Sequence, residues 1–529
     1  MGKKKNSTDF KVTYATMFDP PTEVHNLFDE ALVYTKTTLG QSFPMLIGEK
    51  KVYCDKSFES RSPINEHWLL GSFPSGEARE ADMALAEALK AASSWASMKW
   101  SKRVDLLRAS AKLIEKRIYD IASVVALEVG KNRTEALGEV QETADLINYY
   151  CNEMERNNGY VEYLPNDPIK GVKSRNVHML KPYGVWVVIS PFNFPFALAG
   201  GPSAAAMLAG NTVIFKPATL TSYSGFLIAK VFRDTGIPDG VFNYVTGSGR
   251  TLGEALIKSP DVGGVTFTGS YDVGMNIYRK FAEGKYPRPC IAEMGGKNAA
   301  IISRNADLDR AALGVMRSAF GLQGQKCSAC SRVYVERLVA KDFLKKLCAL
   351  TRDISIGDPT DRKNWFGPVI SEEACSKFSS YTTSLNRDGG LLSGGHRVFT
   401  RKLDSGYFCQ PTIAQSKFSH PLWKHEMFLP IVMVGIVDSL DEAMNFANDT
   451  DYGLTAGFFG NSDEVEWFFK NIQAGVAYAN REHGATAGAW PGFQPFGGWR
   501  GSGSTGKGAG GPYYLPQFMR EQSQTRVSW

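Results

Sequence analysis

The segment Gly324-Gln325-Lys326-Cys327-Ser328-Ala329-Cys330 is the first place in this 529-residue chain where covalent chemistry could sit. A thiolate attacks carbonyl carbons, and a neighbouring cation or a helix start lowers a thiol pKa toward that form. The spacing Cys327-x-x-Cys330 also fits a redox dithiol or half of a metal site. No second closely spaced cysteine pair exists and the seven histidines make no His-x-x-x-His pattern, which argues against a metal. The dithiol reading is weakened because the motif does not follow the first strand of a small βαβ unit. A thiolate attacking a carbonyl needs a donor for the developing oxyanion and, where water releases the product, a base. Asn193, in Ser190-Pro191-Phe192-Asn193-Phe194-Pro195, offers an amide donor in apolar surroundings. Its plainer role would be to satisfy loop backbone. Glu293, in Ala292-Glu293-Met294-Gly295-Gly296-Lys297-Asn298, is a carboxylate among apolar residues and glycines, where burial raises a carboxyl pKa toward that of a useful base. A merely exposed glutamate is the alternative, but the paired glycines argue against a surface helix there.

Elements must hold these residues in place. The short apolar runs 185–189, 212–215, 241–245 and 264–267 are separated by helix-length segments. Strands buried on both faces and alternating with helices predict a parallel, doubly wound sheet. A second α/β series is expected from Ala299 onward, with strands at 332–335 and 431–434. Before the first series, residues 79–155 read as helical. Leu107, Ala111, Ile114, Ile118, Ile121 and Val125 form one apolar face of a single long helix. The alternating runs 159–163 and 176–180 read as a hairpin. Everything before residue 79 is polar and poorly patterned.

Ligands of such sheets bind beyond the carboxyl ends of the strands. Three turns there suit a dinucleotide. Lys216-Pro217-Ala218-Thr219 puts a lysine where a ribose or phosphate could lie. Thr246-Gly247-Ser248-Gly249-Arg250-Thr251-Leu252-Gly253 opens a helix. In Phe267-Thr268-Gly269-Ser270-Tyr271-Asp272-Val273-Gly274, backbone N–H groups and the Ser270 hydroxyl could hold a pyrophosphate. A glycine turn between strand and helix is also ordinary packing; the succession of three favours a cofactor.

Composition removes other classes. Sixty Lys and Arg against 54 Asp and Glu leave a net charge of +6, too small an imbalance for a nucleic-acid footprint. Residues 183–215 carry no charge and are long enough to span a bilayer, but Pro191, Pro195, Pro202, Asn193 and Asn211 fit a strand, a turn and a buried helix better. No membrane partner is expected. Eight dispersed cysteines make no disulfide framework and no signal peptide is apparent, so the expected compartment is the cytoplasm, with the mitochondrial matrix as the alternative. Eleven of the 52 glycines fall between Gly484 and Gly511, interleaved with Trp490, Phe493, Phe496 and Trp499, which favours a packed loop over a linker.

Seven motifs in order carry a resemblance. Phe192-Asn193-Phe194-Pro195, Lys216-Pro217-Ala218, Phe267-Thr268-Gly269-Ser270, Glu293-Met294-Gly295-Gly296-Lys297, Gly324-Gln325-Lys326-Cys327, Glu426-Met427-Phe428 and Pro495-Phe496-Gly497-Gly498 resemble the successive signatures of the aldehyde dehydrogenase superfamily. The resemblance covers residues 60 to 525. It implies an α/β fold in three parts: a Rossmann-type cofactor domain (1–156 and 181–292), an α/β catalytic domain (293–504) and a small β oligomerisation flap (157–180 and 505–529). A homo-oligomer, dimer or higher, follows from the flap. Cys327 would be the nucleophile, Asn193 and the Cys327 N–H the oxyanion hole, and Glu293 the base for a hydrolytic water. Lys216 would bind the adenine ribose, Gly249, Gly269 and Ser270 would lie along the cofactor, with Ser270 on its pyrophosphate, and Glu426 and Phe428 would meet the nicotinamide. The implied cofactor is NAD or NADP, with NAD favoured; Thr219 stands where many NAD-preferring relatives carry a carboxylate. No metal is implied. The implied reaction passes through a thiohemiacetal, hydride transfer and a thioester that water hydrolyses.

Within the superfamily the chain most resembles the pyrroline-5-carboxylate dehydrogenase branch, which oxidises glutamate γ-semialdehyde in proline degradation. Gln325-Lys326-Cys327-Ser328-Ala329, Gln494-Pro495-Phe496-Gly497-Gly498 and Gly506-Lys507-Gly508-Ala509-Gly510-Gly511-Pro512-Tyr513 carry that likeness. It implies that Glu139 faces the substrate amine, that Ser328, Gly488 and Ala489 grip the α-carboxylate, and that Phe194 and Phe496 line the substrate. Two features depart from the branch: residues 481–487 are about three longer than its usual anchor loop, and Pro195 follows the general family. Other semialdehydes or sugar-derived aldehydes are the rival substrates. Glu293 argues against a CoA-acylating enzyme, and the intact Cys327, Glu293 and Asn193 argue against a binding protein that has lost catalysis.

Overall fold

A computed structural model describes every residue except 1–9, 14–15, 18, 401, 484–490 and 529. The region expected to lack pattern is structured. Helix α1 (Thr22–Thr37) buries Val24, Phe28, Ala31, Leu32 and Thr35, about one residue per turn. The Thr35 hydroxyl lies 2.6 Å from that of Ser123. Strands β1 (Met45–Ile47) and β2 (Lys50–Val52) and the hairpin of β3 (Ser57–Ser62) with β4 (Asn65–Pro74) come next. Three-residue strands are too short to show a period, so only their partners define them.

Helices α2 (Ala78–Ser97), α3 (Trp100–Lys116), α4 (Ile118–Val129) and α5 (Arg133–Arg156) follow. The single long helix expected from Leu107 to Val125 is therefore two. Arg117, at φ −105° and ψ 17°, breaks it. The apolar spacing runs on across the break, which hides it from the sequence. α4 ends at Gly130, whose φ of 80° is left-handed, and Asn132 caps α5 by accepting from the Glu135 N–H.

Strands β5 (Val161–Leu164) and β6 (Lys173–Pro182) form the expected hairpin. The doubly wound part is β7 (Val185–Ile189), α6 (Ala197–Leu208), β8 (Thr212–Lys216), α7 (Ser222–Asp234), β9 (Phe242–Tyr244), α8 (Glu254–Lys258), β10 (Val262–Thr268), α9 (Tyr271–Ala282) and β11 (Cys290–Glu293). Its sheet runs β11-β10-β7-β8-β9-β1-β2, parallel through β9 and closed by β1 and β2 running antiparallel. Alternation along β7 covers both faces: Trp186 and Val188 join Leu107, Ile147 and Met207, while Val185 and Val187 join Leu85, Leu256 and Phe281.

The second series begins with β12 (Asn298–Ile302), α10 (Leu308–Phe320), β13 (Cys330–Glu336), α11 (Arg337–Arg352), α12 (Glu372–Asp388), β14 (Gly389–Ser393) and β15 (Thr412–Ser416). It ends with β16 (Ile431–Val437), α13 (Leu440–Asn448), β17 (Thr455–Phe459), α14 (Ser462–Asn471) and β18 (Val476–Ala479). The order is β14-β15-β16-β13-β12-β17-β18, parallel except for the β14 edge. Finally β19 (Met519–Ser528) returns to pair antiparallel with β6 over ten registers, giving the sheet β19-β6-β5. Among the described residues no helix is long and apolar enough to cross a membrane.

In the first sheet the chain leaves β7 toward β8 on one side and returns to β10 on the other. Crevices form at such reversals, beyond the carboxyl ends of the strands. The candidate residues gather there, where β7, β10 and β11 end and β12 and β13 begin.

Candidate active site

Cys327 lies on the loop between α10 and β13, and nearly every flanking residue is tied down. The Asn193 amide donates to the Gln325 carbonyl (2.8 Å), and Gln325 Oε1 accepts from the Ile370 N–H (2.9 Å). The Asn298 amide donates to the carbonyls of Cys327 (2.6 Å) and Ala329 (2.9 Å). Thr455 Oγ1 donates to the Ser328 carbonyl at 3.2 Å. Leu322 and Gln323, at φ 48° and 56°, turn the chain into this loop through left-handed backbone. Burial first, and the Glu426 and Glu293 carboxylates second, push the Cys327 thiol up to about 12, against the pull of the Ser328 and Cys327 N–H groups. The expected helping cation is turned away: Lys326 Nζ binds Glu135 at 2.8 Å. Cys327 therefore rests as a thiol and needs a proton acceptor. Cys330 is buried in the sheet core and donates to the Arg332 carbonyl (3.5 Å).

Glu293 closes β11. Its Oε2 is buried with no hydrogen-bond partner, and burial pushes the carboxyl up to about 8, opposed only by the Gly498 N–H. An acid at that pKa exchanges protons near neutrality. Asn193 follows β7 and is 4% exposed. With one amide hydrogen on Gln325, its plane is fixed beside the nucleophile loop, and its second hydrogen remains to serve an oxyanion. Phe194 is buried, with Lys131 Nζ 3.7 Å from its ring centroid.

The cofactor candidates line the same strand ends. Lys216, at the end of β8, is 5% exposed, donates only to the Pro217 carbonyl (3.1 Å), and is pushed down to about 8 by burial. Gly249 begins a wide helical turn ahead of α8, and a Cβ there would meet nothing within 4 Å. Gly269 donates its N–H to the Glu293 carbonyl at 3.1 Å. Ser270 opens α9 exposed, its hydroxyl not used to cap the helix. Glu426 Oε1 accepts from the Gly296 N–H (2.8 Å), and burial raises its carboxyl to about 7. A Cβ on Gly295 would lie 2.1 Å from Glu426 Oε2, so a side chain there would have to displace the Glu426 carboxylate. Phe428, at φ 54°, sets its ring edge-on to Phe192 with centroids 5.8 Å apart. Lys297 had no role in the sequence reading. It is 1% exposed, its Nζ has no partner, and burial pushes it down to about 7. Its place directly after Gly295-Gly296 was the available signal.

The substrate candidates are mixed. Ser328 is buried beneath the Cys327 loop. Phe496 exchanges backbone hydrogen bonds with Ala509 (2.9 and 2.7 Å). Gly488 and Ala489 lie outside the described residues. Glu139 departs from the expectation of an amine-facing carboxylate. It is fully buried, its Oε2 takes Lys131 Nζ at 2.5 Å, and its Oε1 accepts the N–H groups of Phe196 (2.8 Å) and Ala197 (3.2 Å). Three residues on, Glu142 lies near Tyr150, whose hydroxyl is held well above its usual value by burial first and then by the neighbouring Tyr149, Glu142 and Glu293, and which accepts from the Gly510 N–H at 3.2 Å.

Residues 52–523 match the model of the aldehyde dehydrogenase family. A 1-pyrroline-5-carboxylate dehydrogenase of Bacillus subtilis (strain 168) is 35% identical over 526 residues, 98% of this chain and 99% of its own length. One from a Geobacillus species is 35% identical over 507 residues, 94% of this chain and 96% of its own. The structure of a Thermus 1-pyrroline-5-carboxylate dehydrogenase with bound NAD superposes with a TM-score of 0.91 at 32% identity, covering 98% of this chain and 99% of that one.

Proposed function

The chain belongs to the aldehyde dehydrogenase family, and from that premise we propose that it oxidises glutamate γ-semialdehyde to glutamate through a thioester on Cys327. The observation that carries the mechanism is one bare oxygen. Glu293 Oε2 is buried without a donor beside a loop that holds Cys327 and is hydrogen-bonded to Asn193. Cys327 gives up its thiol proton to solvent and forms the bond to the aldehyde carbon, and the second Asn193 amide hydrogen with the Cys327 N–H receives the oxygen. Glu293 then takes the proton of the water that releases the acid.

A nicotinamide dinucleotide, when bound, accepts the hydride. The residues present fit it. Lys216 keeps donors to spare at a buried strand end, Ser270 has an unused hydroxyl at a helix start, and Glu426 and Phe428 stand on the Cys327 side. NAD is the favoured form because the Thermus relative was solved with it; Thr219 offers no carboxylate to repel NADP. Glu142 is assigned to the substrate amine in place of Glu139, with Ser328 and residues 488–489 on the carboxylate. The two seven-stranded sheets and the three-stranded sheet of β5, β6 and β19 support a division into cofactor, catalytic and flap regions. The open edge of β19 in the flap supports a homo-oligomer.

Reduced-cofactor absorbance with a panel of aldehydes, with and without free CoA, tests the proposal. Glutamate γ-semialdehyde should exceed succinic semialdehyde, and both should exceed propanal, with no need for CoA. Equal rates for plain and carboxylated aldehydes would overturn the substrate assignment.

A further inference from the structure

One turn of α5 holds two different loops of the reacting centre. Glu135 and Glu139 are four residues apart and so share a helix face. Glu135 Oε1 binds Lys326 Nζ at 2.8 Å, and Lys326 directly precedes Cys327. Glu135 Oε2 accepts from Asn132 Nδ2 at 3.0 Å, which fixes the carboxylate's own rotamer. Glu139 binds the N–H groups of Phe196 and Ala197, at the end of the loop that carries Asn193, and its other oxygen binds Lys131. Lys131 Nζ in turn covers the ring of Phe194, next to Asn193. The two loops meet at the 2.8 Å bond from Asn193 to Gln325. The contacts close a circuit: α5, Lys326, Gln325, Asn193, Phe194, Lys131 and α5 again.

Stability does not explain this arrangement. A buried ion pair such as Lys131–Glu139, at 1% and 0% exposure, gains little over well-packed apolar residues once desolvation is counted. What it supplies is fixed geometry, and small errors in the placement of reacting groups are costly in rate. We propose that Lys131, Glu135 and Glu139 are positioning residues that set the Asn193 oxyanion donor against Cys327, by holding each loop to α5. The proposal rests on the reading that Cys327 and Asn193 act together.

Rapid mixing of enzyme, NAD and glutamate γ-semialdehyde reads the burst of reduced cofactor and the steady rate that follows. Lys326→Met and Glu139→Gln should each slow both phases at least tenfold, because both chemical steps use the same oxyanion donor. Cofactor Kd should hold in both; Tm should stay near wild type in Lys326→Met and fall in Glu139→Gln, which leaves Lys131 buried without its anion. Lys326→Arg, which keeps the ion pair, should stay within threefold of the wild-type burst. The Lys326→Met/Glu139→Gln double variant should lose little more than the worse single, because both open one circuit. If Glu139→Gln fails to fold, the Lys326→Met and Lys326→Arg pair decides alone. A wild-type burst that Lys326→Met leaves intact, or losses that follow Tm and multiply in the double variant, would overturn the inference and spare the proposed function. A wild-type protein that does not reduce NAD with glutamate γ-semialdehyde at all would overturn both.

Discussion

Glu139 is fully buried and Glu293 hides its Oε2 from water, and their surroundings differ in one respect. Glu139 is saturated: three donors occupy its two oxygens. Glu293 has one backbone N–H, and its Oε2 has no donor. Bare burial pushes the Glu293 carboxyl up and leaves it an oxygen free to meet a proton. Two carboxylates of the same chemistry are thus separated into one that holds and one that reacts. The same division sorts the buried lysines, since Lys131 is paired with Glu139 and Lys297 Nζ has no partner.

Five substitutions test how sharp that division is. The largest effect belongs to the nucleophile both regions serve. Cys327→Ala should lower turnover by at least about three orders of magnitude, with cofactor affinity measured by titration unchanged. Persistent turnover would move the nucleophile elsewhere, with Cys330 first in line. Glu293→Gln should spare the burst of reduced cofactor and slow the steady state about 10²–10⁴-fold. Only the anion accepts a proton, so with a carboxyl at about 8 the wild-type steady rate should rise with pH and level off above that value. Glu293→Gln should flatten that profile; loss of the burst would show that Glu293 already acts in generating the thiolate.

The next effect is smaller and separates Glu142 from Glu139. Glu142→Ala should narrow the preference for glutamate γ-semialdehyde over succinic semialdehyde about tenfold, the worth of one charge-assisted hydrogen bond. Glu139→Ala should leave that ratio of kcat/KM alone while lowering both values. The smallest change is expected at the cofactor end: Lys216→Met should weaken NAD binding about fivefold, read by fluorescence titration, without touching aldehyde preference.

The residues proposed to react were legible because each sits in a short contiguous motif at a strand end, where alternation and turn residues mark the place. Cys327, Asn193 and Glu293 gather where the strand pattern put them. The misreadings share a physical cause. Glu139 and Glu142 are within one turn of each other on α5, and only their surroundings tell them apart: Lys131 pairs with Glu139, while Glu142 lies near Tyr150. Lys326 looked like a cation beside the thiol, yet its partner Glu135 is 191 residues away in sequence. β1 and β2 are too short for a pattern, and the pairing of β1 with β9, which brings this hairpin into the sheet, is likewise long-range. Gly488 and Ala489 lie outside the described residues, so the carboxylate grip rests on Ser328 and the resemblance.

The pairing of β6 with β19 has a consequence for synthesis. Residues 173–182 find their partners only at 519–528, and Asn211, which binds the N–H groups of Tyr183 and Gly184, also donates to the Phe518 carbonyl. Tyr514 stacks on Tyr150 of α5 at 5.4 Å. Translation at about 5–20 residues per second leaves β6 waiting roughly 20–70 s for its partner. Through that interval an unpaired strand edge is open to other chains, and the emerging polypeptide is a natural client for chaperones.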